Sequence, residues 1–185
     1  SSWTAKKWTL AFLPAPAASV LPSGESATPR KADPSATVWR SAAPGAADGV
    51  PGFAPEVTIV DSEATLRELV RALRRAPQVV IDVESTSTDS MSADLVGVAV
   101  CTDSEHAWYV PVGHTQGPQL PLEFVLAALR PILADATIHK IAHNAKYDMT
   151  VLAEHGAPVQ GLVADTMVAA YLLGEKALRL KDLAF

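Results

Sequence analysis

The chain has 185 residues, 49% of them hydrophobic and 19% charged, with a formal net charge of −5. No run approaches the 18 apolar residues of a membrane span, and the single cysteine, Cys101, excludes an internal disulfide framework and fits a reducing cytoplasm. Residues 53–185 hold 10 basic against 17 acidic side chains, which argues against a broad electrostatic footprint for duplex nucleic acid but leaves room for a metal-dependent nuclease.

Residues 1–52 carry half of the 14 prolines and are rich in Ala, Ser and Gly, with five basic against three acidic residues. No helical or strand period persists there, so the segment reads as a disordered Ala/Pro-rich linker or arm. Its basic-then-apolar run Lys6 to Leu13 is too short for a secretory leader and is broken by Pro14 and Pro16. The chain opens with Ser rather than Met, which reads as a fragment or a processed product.

From Phe53 the composition changes. Val57 to Val60 reads as a short strand, and Asp61 or Ser62 caps a helix with Leu66, Leu69, Val70 and Leu73 at helical spacing, stopped by Pro77. Val79 to Glu84 is the next strand, followed by a polar turn from Ser85 to Ser92. Leu95 to Cys101 and Ala107 to Val112 are strands joined by a turn, and Cys101 reads as an inert core thiol. Pro121 to Leu133 reads as helix, Ile138 to Ala142 as strand, and Asn144 to His155 as helix ended by Gly156. Asp165 reads as the cap of a helix through Leu173, with an indirect role in the site as the alternative, and Leu178 to Phe185 reads as an unfinished helix. The order points to an α/β fold with a mixed sheet.

The chemistry concentrates in Val79-Val80-Ile81-Asp82-Val83-Glu84. Strand side chains alternate faces, so Asp82 and Glu84 point the same way. Buried carboxylates need a partner or a metal, and two acids at the end of an apolar strand predict a divalent-cation site. Asp148 is the natural third acid, at the start of a helix that follows a neighbouring strand. Asn144 lies four residues before it, on the same helical face or as an N-cap. Oxygen-only ligands favour Mg²⁺ or Mn²⁺, and a two-metal site of this kind supports phosphodiester hydrolysis. His139 and His143 are about 13 Å apart along a strand, so zinc is not expected. His114 and His143 read as structural or polar-lining residues, Tyr171 as core, and Arg71, Arg74 and Arg75 as a solvated helix face.

With these motifs in hand, the chain resembles the 3′–5′ proofreading exonuclease domain of bacterial family A DNA polymerases, within the DEDD exonucleases. The matching pieces are Asp82-Val83-Glu84, Ser92 to Gly97, Tyr109-Val110-Pro111-Val112-Gly113-His114, Asn144-Ala145-Lys146-Tyr147-Asp148, and Asp165-Thr166-Met167 with Tyr171-Leu172-Leu173. The acids alone fit many DEDD nucleases; the Pro-Val-Gly-His and Asp-Thr-Met segments narrow the likeness to the polymerase branch. The resemblance covers residues 53–185 and implies a ribonuclease H-like mixed sheet flanked by helices. It implies metal ligation by Asp82, Glu84 and Asp148, and contacts to a single-stranded DNA 3′ end near Asn144 and Tyr147. It further implies a polymerase domain downstream and a cytoplasmic protein of replication and repair.

Two departures stand out. The family's fourth acid, an aspartate four residues after a tyrosine, is expected beyond Phe185, so the domain reads as C-terminally incomplete and the isolated chain as poorly active. Of the later acids, Glu154, Asp165, Glu175 and Asp182, only Glu175 has a tyrosine at that spacing, in a different helix. At the position of the family's leucine wedge this chain has Thr88. A non-catalytic module and an RNase D-like exoribonuclease are the alternatives. Three convergent acids disfavour the first, and the Pro-Val-Gly-His segment disfavours the second.

Overall fold

The computed structural model describes residues 56–183; the expected arm at residues 1–52 lies outside them. The elements are β1 (Glu56–Ile59), α1 (Glu63–Arg75), β2 (Gln78–Ser85), β3 (Leu95–Cys101), β4 (His106–Pro111), α2 (Leu122–Leu133), β5 (His139–Ala142), α3 (Ala145–Glu154), β6 (Leu162–Asp165), α4 (Thr166–Leu172) and α5 (Leu180–Leu183). Six strands form one sheet in the order β1-β4-β3-β2-β5-β6. β3 runs antiparallel to both neighbours, and the β1–β4, β2–β5 and β5–β6 pairs are parallel. This is the expected α/β mixed sheet.

Local chemistry accounts for the helix ends. Ser62 caps α1 by accepting from Thr65 N, and the Thr65 side chain reaches back to the Ser62 amide, a capping box with Thr in place of the usual Glu. Glu63 in the first turn and Arg74 and Arg75 in the last match the helix dipole, and Pro77 prevents continuation. Gly156, at φ 70°, follows the end of α3.

The two faces of the sheet differ. Ile81, Val83, Val98, Val100, Trp108 and Val110 pack with buried side chains of α1, α2 and α3 in the main core. The other face holds a smaller cluster of Val80, Ala99, Cys101, Ala107 and Tyr109, to which no described helix contributes. Since β2 alternates, Asp82 and Glu84 fall on this second face with Val80.

Two expectations need correction. β6 was not anticipated; its four residues are mostly exposed at the sheet edge and show no apolar–polar alternation. Tyr171, expected in the core, is 68% exposed, and its neighbours Leu172 and Leu173 are more exposed still. It stands on the outer side of α4, whose one buried residue is Ala170. Cys101 is fully buried as expected, and burial, reinforced by Asp103, pushes its thiol pKa far up.

Candidate active site

β2 is the central carrier. Its positions Val79 to Val83 are buried in succession because β3 and β5 flank it on either side. Asp82 is 8% exposed and Glu84 half-buried. They pair across the ladder with Ala99 and Gly97 of β3, which pair in turn with Tyr109 and Pro111 of β4. Directly paired residues share a face, so Asp82, Glu84 and Tyr109 look the same way. Electrostatics agree: burial raises the Tyr109 phenol pKa, and the Glu84 and Asp82 carboxylates raise it further.

Gly97 explains how the Tyr109 ring lies down beside the acids. A Cβ at residue 97 would stand 2.1 Å from Tyr109 Oη and 2.4 Å from Cζ, so only glycine admits the ring. Tyr109 Oη then hydrogen-bonds His114 Nε2 at 2.7 Å, and the rings meet edge to face. Gln119 holds His114 through both backbone groups, accepting from its N–H at 2.9 Å and donating to its carbonyl at 2.8 Å. Burial holds the His114 pKa below its ordinary value. The Tyr109–Gly97–His114 unit was not singled out from sequence as a set. Its signals were the Tyr-Val-Pro-Val-Gly-His string and the segment Ser92 to Gly97, which nothing in the sequence joins.

Asp148 sits in the first turn of α3 and is 5% exposed. It lines a small cavity with Ile81, Ala142, Ala145, Met149 and Leu152. Val80 pairs with Ile141, so Asp82 lies just past the level where β5 ends and the chain turns into α3. The residue preceding Asp148, Tyr147, fastens α3 to the loop after β2: its hydroxyl donates to the Ser87 carbonyl and lies 2.5 Å from Ser85 Oγ. Its ring packs partly against the main core, so Tyr147 is engaged within the fold. Thr88 is exposed on that same loop.

Asn144 has a positive φ of 63° and caps nothing with its side chain, which is exposed. Asp165 does the capping. Its carboxylate accepts from the Asn144 and Ala145 amides at 3.0 and 2.8 Å, and from Met167 and Val168 of its own helix at 2.8 and 3.4 Å. The expected cap at Asp165 is therefore present, with a second helix attached. Of the other late acids, Asp182 pairs with Arg179 at 2.6 Å, and Glu154 and Glu175 are exposed. Among the described residues no three His, Cys, Asp or Glu side chains stand together as a ready-made ion cage. In kind, the carboxylates of Asp82, Glu84 and Asp148 suit a hard divalent cation, since all their donors are oxygens.

A family model described as 3′–5′ exonuclease matches residues 57–185. The chain belongs to the 3′–5′ exonuclease family of family A DNA polymerases. DNA polymerase I of Chloroflexus aurantiacus is 46% identical over 131 residues, covering 71% of this chain and 14% of that protein. DNA polymerase I of Synechocystis sp. is 39% identical over 118 residues, covering 63% and 12%. The chain thus spans a small part of the length of these relatives. Among solved structures, RNase D of Trypanosoma brucei with GMP matches with TM-score 0.53 at 20% identity, over 62% of this chain and 34% of that one. The POL domain of Pol1 from M. smegmatis, in complex with DNA primer-template and dNTP, matches with TM-score 0.52 at 24% identity, over 63% and 19%. These likenesses establish the exonuclease-type fold. Among the described residues no helix is long and apolar enough to cross a membrane.

Proposed function

We propose that this chain belongs to a proofreading 3′–5′ exonuclease domain that hydrolyses the 3′-terminal phosphodiester of a DNA strand on behalf of a polymerase domain in the same polypeptide. The observation that carries this reading is the pair Asp82 and Glu84, side by side on one face of the central strand, in a chain of the polymerase exonuclease family. Residues 53–185 are the exonuclease part and residues 1–52 a linker. Asp82, Glu84 and Asp148 are the metal ligands, and the ions are Mg²⁺ or Mn²⁺ in a two-metal site. Bound divalent cations supply Lewis-acid stabilisation of the phosphoryl oxygens and a nucleophilic water at neutral pH.

The chain's own residues do the rest. Asp82, on the rigid central strand, would hold a cation at a fixed place, and Glu84 lies at its side where the strand ends. Asn144 offers an exposed carboxamide to the strand, and Tyr147 keeps the loop bearing Thr88 against α3, beside the path of the 3′-terminal nucleotide. The Tyr109 ring supplies a dry wall behind the two carboxylates, which strengthens electrostatic interactions at the site.

Asp82→Ala in the intact protein abolishes Mg²⁺-dependent shortening of a labelled single-stranded DNA from its 3′ end while leaving primer extension unchanged. Undiminished shortening by that variant sinks the assignment. The same assay on a matched RNA strand separates DNA proofreading from an RNase D-like activity, with DNA expected to be the preferred substrate.

A further inference from the structure

The start of α3 is built against the usual rule. An N-cap residue normally has extended backbone, and its own side chain takes up an amide of the first turn. Asn144 is instead left-handed, at φ 63°, and its carboxamide caps nothing. The amides of Asn144 and Ala145 converge on the carboxylate of Asp165, 21 and 20 residues further on, at the end of the edge strand β6. Asp165 is paired with Ala142 in the ladder, so the chains leaving β5 and β6 emerge side by side, each into a helix. Its two oxygens take four amides: Oδ1 accepts from Asn144, Met167 and Val168, and Oδ2 accepts from Ala145. A second tie runs alongside, where His143 Nδ1 and Thr166 Oγ1 share a hydrogen bond at 2.8 Å.

We infer that Asp165 is a positioning residue for the exonuclease site: its carboxylate holds the Asn144–Ala145 backbone left-handed, which sets the direction of Asp148 one turn later and frees the Asn144 carboxamide for the nucleic acid. The inference rests on the function proposed above. Left-handed backbone is less favourable than extended or right-handed backbone for a residue with a Cβ, and Asn tolerates it better than most, so an added clamp readily holds it there. Here the clamp is a charged acceptor, the strongest kind for backbone amides. If Asn144 relaxed to an ordinary extended cap, its side chain would turn back onto the α3 amides. The first turn of α3, with Asp148 in it, would then shift relative to Asp82.

The test separates the two jobs of the carboxylate. Asp165→Ser keeps a good cap for α4 but cannot reach α3. In the intact protein, Mn²⁺ binding measured calorimetrically without nucleic acid is expected to weaken by about tenfold or more, as is usual when a group orienting a ligand is lost. Single-strand hydrolysis should lose kcat in parallel, with circular dichroism unchanged. A role in stability alone would lower Tm without moving Mn²⁺ affinity well below Tm. Adding Asn144→Gly, which takes the left-handed conformation without a clamp, is expected to recover part of the lost Mn²⁺ affinity. Mn²⁺ affinity of Asp165→Ser within about twofold of the parent, or a loss that glycine does not relieve, overturns the inference. Should the serine variant not fold, Asp165→Asn carries the same measurements, because it sets an amide donor against the Ala145 N–H. If Asp82→Ala still degrades DNA, the proposed site falls; if only the Asp165 series behaves as the parent, the site stands and the positioning role falls.

Discussion

The two faces of the sheet are made by the same strands and have opposite chemistry. On the helix-covered face, β2 contributes Ile81 and Val83, and α2 adds Val125, Leu126 and Leu129 to the same core, all almost wholly buried. On the other face, β2 contributes Val80, Asp82 and Glu84, and the neighbouring strands contribute small residues and the Tyr109 ring. The period of two thus sorts the side chains of β2, apolar packing on one face and the two carboxylates on the other. If that division holds, damage to each face should show in a different measurement.

The largest stability effect should come from the helix-covered face. Leu129 is 1% exposed and central to the main core. Leu129→Ala is expected to cost about 2–5 kcal/mol in chemical denaturation. Its exonuclease rate, measured well below the lowered Tm, should stay close to that of the parent. A large loss of rate in the folded variant would break the division, since it would mean that the core transmits strain to the acids.

Gly97→Ala probes the other face, with a smaller effect on stability and a larger one on rate. The new methyl would fall on the Tyr109 hydroxyl and ring, which cannot leave without disturbing the His114 bond and the wall behind Glu84. Such overpacking costs about 1–3 kcal/mol. Shortening the obstructing side chain in Gly97→Ala/Tyr109→Leu should return most of that loss, and a double-mutant cycle measures the coupling. Additive effects of the two substitutions would show that the ring and residue 97 do not compete for space.

What could be read from the sequence follows the range of the forces involved. The β3 limits, Leu95–Cys101, come from neighbouring residues and were legible, and the α1 cap was narrowed to Asp61 or Ser62, of which Ser62 serves. So was the shared face of Asp82 and Glu84, which needs only strand alternation. β6 was not legible, because its existence depends on pairing with β5, some twenty residues earlier, and its own pattern is that of an exposed edge. The Asn144 backbone was misjudged for the same reason. By local rules it is its own cap, and only the distant Asp165 carboxylate makes it left-handed. The ring of Tyr109 over Gly97 joins residues of different strands, and no local rule connects them.

The smallest effect is a titration on the acid-bearing face. Burial favours the neutral His114 ring and holds its pKa below the ordinary 6.5. Tyr109, its hydrogen-bond partner, stays protonated throughout the working range, since burial and the Glu84 and Asp82 carboxylates all push its pKa up. As pH falls, the unfolded chain therefore takes up the His114 proton before the folded one does. The stability this ring contributes is fully present above pH 6.5 and is lost as pH falls through the lower folded value. His114→Gln, which keeps a polar side chain of similar reach, should flatten the decline in Tm between pH 7.5 and about pH 5. The flattening should not appear in Leu129→Ala, whose loss lies among the apolar side chains of the main core. An undiminished slope in His114→Gln would mean that another group governs acid sensitivity on this face, and the paired carboxylates Asp82 and Glu84 would be the next to replace.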